Sequence, residues 1–231
     1  MGPDEVLAKL HASADAASVA GMARFGIDPE KALGIRVPVL RKLAREIGRD
    51  HELALELWDK GLRETRILAS IIADPTRITP GLMDTWATQF RDWELCDQCC
   101  TNLFRHTPYG HTKAVEWSAR EEEFVKRAGF SLMATLAVGD KKASDDVFEA
   151  YLPLIEREAV DGRNGVKKAV NWALRQIGKR NLALNSKAIA CAERIERQDA
   201  KAARWVASDA LRELTSGPVQ RRLQEKAARR G

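Results

Sequence analysis

The chain has 231 residues, 45% of them apolar, and a net charge of +5. That is enough apolar side chain to bury a sizeable core, so wholesale disorder is excluded, and the length fits one compact domain or one short array of repeats. The positive excess is concentrated beyond Gly217, where Arg221, Arg222, Lys226, Arg229 and Arg230 face only Glu225, so the body is nearly neutral.

A neutral body binds a polyanion only if its cations are sorted onto one face. Three of the four cysteines, Cys96, Cys99 and Cys100, fall on consecutive turns of one expected helix, a poor disulfide framework. The nearest histidines, His106 and His111, give no standard zinc spacing, so packing cysteines, no metal and no cofactor are expected. Met1–Ala20 has no apolar core run, and no stretch approaches the roughly 20 apolar residues that span a bilayer. A cytoplasmic, reducing setting without membrane contact is expected.

Taken in chain order, helical periodicity dominates and strand alternation is absent. Pro38 opens a helix running to about Gly48, with Leu40, Leu43, Ala44 and Ile47 on one face. Further helices are predicted over 51–60, 63–73, 80–90, 93–106, 111–119, 121–138, 144–160, 164–180, 182–197 and 200–215. Asp74-Pro75, Thr79-Pro80, Thr107-Pro108 and Gly139-Asp140 punctuate them. Connections are short, so residues 1–216 read as a single domain followed by a basic tail over 217–231. The segment Lys168-Ala169-Val170-Asn171-Trp172-Ala173 is echoed 33 residues later by Lys201-Ala202-Ala203-Arg204-Trp205-Val206. Recurrence at that interval points to an all-α array of stacked helix pairs, an α-solenoid, with a plain helical bundle as the other compatible arrangement.

On the helix over 164–180, Val166, Ala169, Val170, Ala173, Leu174 and Ile177 form the side that must be buried. Trp172 lies about 130° away, on a stripe with Lys168, Arg175 and Lys179. The copy repeats the arrangement with Lys201, Trp205, Ser208 and Arg212. Two readings fit: indoles half-buried under a neighbouring helix with cationic stems laid over them, or a surface that meets phosphates with cations and bases or sugars with rings. On the helix over 93–106, Leu95, Cys96, Cys99 and Leu103 are apolar, and Trp93, Asp97 and Cys100 stand on a separate stripe. Arg127 stands opposite the face of Val125, Ala128, Gly129 and Leu132.

These residues occur in an order that resembles the AlkD-type DNA alkylation repair proteins. Gly21-Met22-Ala23-Arg24-Phe25 and Leu33-Gly34-Ile35 resemble the N-terminal part of that family. Trp93-Glu94-Leu95-Cys96-Asp97 resembles its Trp-x-x-x-Asp motif, and Lys167–Arg175 resembles the segment of its second active-site Trp. The chain has Phe25 where the family glycosylase has Tyr, and Asp92 where it has a second Trp.

The resemblance implies a right-handed α-solenoid of HEAT-like antiparallel helix pairs that cradles duplex DNA. It also implies a monomeric glycosylase with no obligate protein partner, releasing N3- or N7-alkylated purines from the sugar. In that reading Asp97, Trp93 and Trp172 are catalytic and Arg127, Lys168 and Arg175 hold phosphates, while the repeated stripes add Lys179, Lys201, Trp205 and Arg212 as expected DNA contacts, Trp205 without a counterpart in the family glycosylase. A DNA-structure-binding protein without base excision and a HEAT-type protein-interaction scaffold are the alternatives.

Overall fold

Capping residues mark many of the helix starts. Asp15, Asp50, Thr79, Asp92 and Asn181 each accept a hydrogen bond from a backbone N–H of the turn they precede. Prolines 3, 38, 80, 153 and 218 sit in first turns, where no backbone N–H is needed. The computed structural model describes residues 1–229, which hold fifteen α-helices and, among the described residues, no strand. No described helix is long and apolar enough to cross a membrane. The chain divides into two compact units, one ending at Pro108 and one beginning at Tyr109.

The first unit comprises α1 (Pro3–Ala12), α2 (Ala16–Met22), α3 (Val37–Ile47), α4 (His51–Asp59), α5 (Arg63–Ile72), α6 (Pro80–Ala87) and α7 (Trp93–Asn102). Helix α4 packs along α5, and α5 touches both α3 and α7. Trp58 and Trp86 stack with ring centroids 3.8 Å apart, and Phe90 and Phe104 close the cluster. Glu64, wholly buried, accepts the N–H groups of Leu33 and Ile35 and the guanidinium of Arg63, which also pairs with Glu94. This cluster ties the chain between α2 and α3 to α5 and α7.

The second unit comprises α8 (Gly110–Ser118), α9 (Glu123–Gly139), α10 (Asp145–Glu149), α11 (Leu152–Glu158), α12 (Asn164–Gly178), α13 (Leu182–Glu196), α14 (Lys201–Leu214) and α15 (Gly217–Ala228). Its helices pack as the pairs α8/α9, α11/α12 and α13/α14. Helices α9, α12 and α14 contact one another in succession, and so do α8, α11 and α13. The helices carrying the sequence echo, α12 and α14, therefore hold equivalent places in consecutive pairs.

The structure departs from the periodicity in four places. Helices α1 and α2, both short, lie where none is predicted. The predicted 144–160 helix is two, because Pro153 in one continuous helix would clash with the carbonyl of Glu149. The 93–106 helix stops at Asn102 and gives way to a 3-10 turn over Phe104–His106. The basic tail begins as α15, anchored by buried Val219 and Leu223, while Arg230 lies outside the described residues.

Helices α8 and α9 approach so closely that a Cβ on Gly129 would fall 2.6 Å from the Ser118 nitrogen and 2.9 Å from the Trp117 carbonyl carbon. Alanine there gains about 1 kcal/mol of helix propensity. It must also push backbone apart, an overpacking cost of roughly 1–3 kcal/mol or more. Gly129→Ala is expected to lower the thermal midpoint by several degrees; an unchanged midpoint would show that the two helices separate freely.

Candidate nucleic-acid interface

Two clusters hold the predicted site residues, one in each unit. In the first, Asp92 caps α7 by accepting the N–H groups of Glu94 and Leu95, and burial pushes its carboxyl above the ordinary value. The cap fixes where α7 begins and so places Trp93 in its first turn. The Trp93 indole N–H donates to the Phe25 carbonyl at 2.8 Å, which holds a half-buried ring beside the most exposed large apolar side chain of the protein, Phe25 at 72%. Asp97 stands one turn on and is half-buried.

Three acids thus occupy six residues, in three environments. Asp92 is committed to the helix cap, Glu94 is shared with Arg63, and Asp97 shares the stripe of Trp93. Cys100, expected on that stripe, is instead wholly buried with Cys96 and Cys99. Burial pushes the Cys99 and Cys100 thiols well up, away from the reactive thiolate. Among the described residues no cluster of three or more His, Cys, Asp or Glu is placed to hold a metal.

Arg41 of α3 is a residue the sequence reading missed. Its guanidinium donates to the side-chain oxygens of Gln98 at 3.2 Å and Asn102 at 3.1 Å, both on α7. These partners are amides, so they orient the cation without neutralising it. The available signal was its place between Leu40 and Leu43, on the exposed side of an amphipathic helix.

The second cluster lies on α12 and α14. Trp172 is half-buried, and Trp205 is 40% exposed with the Lys167 ammonium 4.9 Å from its ring centroid. Lys168 and Lys201 are exposed, as expected. The remaining cations of the stripes are engaged by two carboxylates on α14. Glu213 pairs with Arg175 and accepts from Lys179 at 2.6 Å, and Asp209 accepts from Asn171 at 2.7 Å and pairs with Arg212. Asp209 and Glu213 follow Trp205 at four-residue steps, a spacing visible in the sequence and overlooked there.

Arg127 corrects an expectation outright. The helical spacing puts it opposite the apolar face of α9, yet only 5% of it is exposed, and it donates to the Gly165 carbonyl at 2.6 Å. Glu123 accepts the Gly165 N–H at 3.1 Å. Helix α9, covered by α8 and α12, has no outer face at this level, so Arg127 secures the start of α12.

These helix pairs agree with what the chain is similar to. The family model for DNA alkylation repair enzymes matches residues 6–214. A solved structure at 21% identity shares the fold with a TM-score of 0.76, over 92% of this chain and 95% of that one. It belongs to a family of proteins related to the HEAT-like repeat DNA glycosylases with affinity for branched DNA structures. No curated protein sequence matches. The fold is thus an all-α assembly of HEAT-like helix pairs, and the chain belongs to the DNA alkylation repair enzyme family.

The α12–α14 ladder has a pH signature. Burial opposes ionisation of Glu213, but the hydrogen bond from Lys179 and the charge of Arg175 outweigh it and hold the carboxyl below its ordinary 4.5. A depressed carboxyl stabilises the fold above that value and loses its contribution as pH falls through the folded-state value. Glu213→Gln is expected to lower the thermal midpoint at neutral pH, with the gap from wild type closing below pH 4.5. A gap constant from neutral to strongly acid pH would show that the pairing contributes nothing.

Proposed function

We propose that this protein binds DNA and hydrolyses the N-glycosidic bond of purines made cationic by N3 or N7 alkylation. The carrying observation is the placement of Trp93 and Asp97 one turn apart on α7, with the indole pinned by its N–H, while Asp92 caps the helix and Glu94 pairs with Arg63. An alkylated purine leaves as a neutral base, so its departure needs no proton donor. Positive charge then develops near the anomeric carbon of the sugar, and a fixed carboxylate stabilises it and positions water. Lys168, Lys201 and Trp205 of the second unit meet the DNA through phosphates and ring faces.

A second reading, DNA-structure binding without excision, is supported by the described affinity of the structural neighbour for branched DNA and by the exposed Trp205 under Lys167. Incubating the purified protein with duplex DNA containing N7-methylguanine and measuring released base separates the two. Release is expected from wild type, and Asp97→Asn is expected to retain binding while slowing release about a hundredfold or more, the effect of removing one preorganised charge of roughly 3 kcal/mol. No release by wild type, with tight binding to a four-way junction, selects the second reading. Equal rates for wild type and Asp97→Asn place the catalytic carboxylate elsewhere.

A further inference from the structure

The second unit holds a cavity of about 380 Å³ where the C-terminal ends of α9 and α12 meet α15. Its wall carries Lys141, Lys179, Arg180, Arg222 and Lys226 against a single carboxylate, Asp145.

The wall is built rather than incidental. Arg180 donates to the carbonyls of Ala137 at 2.7 Å and Asp140 at 2.9 Å, and lies 3.7 Å from the Phe148 ring centroid. Lys226 donates to the Arg180 carbonyl. The Asp140 carboxylate accepts the N–H groups of Lys142 and Ala143 at 3.0 Å, which fixes the loop bearing Lys141. Asn181 holds both oxygens of Asp145.

The charge does not cancel. Helix C-termini carry roughly half a negative charge each, which offsets about one of the cations. Asp145 offsets another, and Lys179 is shared with Glu213. Lys141 and Arg222, both exposed, are left without a compensating carboxylate on the wall.

Lys179 belongs at once to this wall and to the Trp172 stripe of α12. Seven residues at 1.5 Å each put it about 10 Å beyond Trp172, a span of about three nucleotides at 3.4 Å of rise per strand. We infer that this cavity receives a phosphate group through Lys141 and Arg222, and that a DNA strand running along α12 delivers it. The inference rests on the DNA-binding reading for its source of phosphate, and on the cavity alone for its chemistry.

The test uses the full chain and the double variant Lys141→Glu/Arg222→Glu, with Lys60→Glu/Arg221→Glu as a control of equal charge change. One arm measures duplex and four-way-junction affinity against salt concentration. The other titrates inorganic phosphate and follows the amide resonances of 140–144 and 178–181. Loss of two phosphate contacts is expected to lower the slope of log affinity against log salt by about 2 and to weaken low-salt binding about tenfold or more, with the control variant much less affected. If wild type binds no DNA, the DNA reading fails, and phosphate shifts that vanish in the double variant then identify free phosphate as the ligand. DNA binding that both variants weaken equally, or that the double variant leaves unchanged, overturns the inference. So does a wild type that binds neither DNA nor phosphate here.

Discussion

A helix with no face left for water constrains everything packed on it, and α9 is such a helix in the second unit. Every residue from Arg127 to Ala137 is buried, so its few polar groups must find partners in neighbouring helices. Arg127 and Glu123 do so by gripping one residue, Gly165, from both ends of its peptide geometry: carbonyl to guanidinium, N–H to carboxylate. A Cβ at Gly165 would fall 2.6 Å from the Glu123 carboxylate, so the grip requires glycine's missing side chain. The rotation of α12, and with it the direction in which Trp172 and Lys168 point, is set from this contact.

The next helix is held differently. Between α12 and α14 the contact away from the apolar core is a ladder of Asn171, Arg175 and Lys179 against Asp209 and Glu213. These side chains are partly exposed, so each pair contributes modestly to stability, and the arrangement matters more for the charge it leaves behind. By absorbing Arg175 and Lys179, the two carboxylates confine uncompensated charge to Lys168 and Lys201 near the helix starts and to the cavity near the helix ends. The middle of the stripe is left to the two indoles. A strand meeting this surface would find cations at its ends and rings between them.

What was legible in the sequence follows from which forces act locally. Helix identity is local, written in caps, prolines and apolar spacing, and most helices from Pro38 onward lie where the periodicity puts them. The stripes of α12 and α14 were legible for the same reason. Arg127 was not, because the second covering of α9 comes from α12, 38 residues away, and no helical wheel contains it. Cys100 failed likewise, being wholly buried by tertiary packing. Arg41 and the Phe25 carbonyl enter the first cluster through contacts 57 to 68 residues long, which periodicity cannot register. The resemblance named Trp93 and Asp97 without explaining them; the structure supplies the cap and the tether that fix Trp93.

The placement of Asp92 explains why a Trp-x-x-x-Asp segment tolerates an aspartate immediately before its tryptophan. A carboxylate at that position faces the unsatisfied N–H groups of the first helical turn, where the helix dipole also favours negative charge. Its side chain therefore turns inward, and burial raises its proton affinity rather than exposing its charge. Glu94, drawn to Arg63, turns toward the cluster that anchors the chain ahead of α3. Both acids serve the fold by leaving the surface that Trp93 and Asp97 share. A site that works by placing one negative charge beside a developing sugar cation needs nearby acids kept out of the way, since a second charge there would raise the affinity of the first for protons and repel phosphate. In this segment Asp92 serves the helix cap and Glu94 the Arg63 cluster, and Asp97 lies one turn from Trp93.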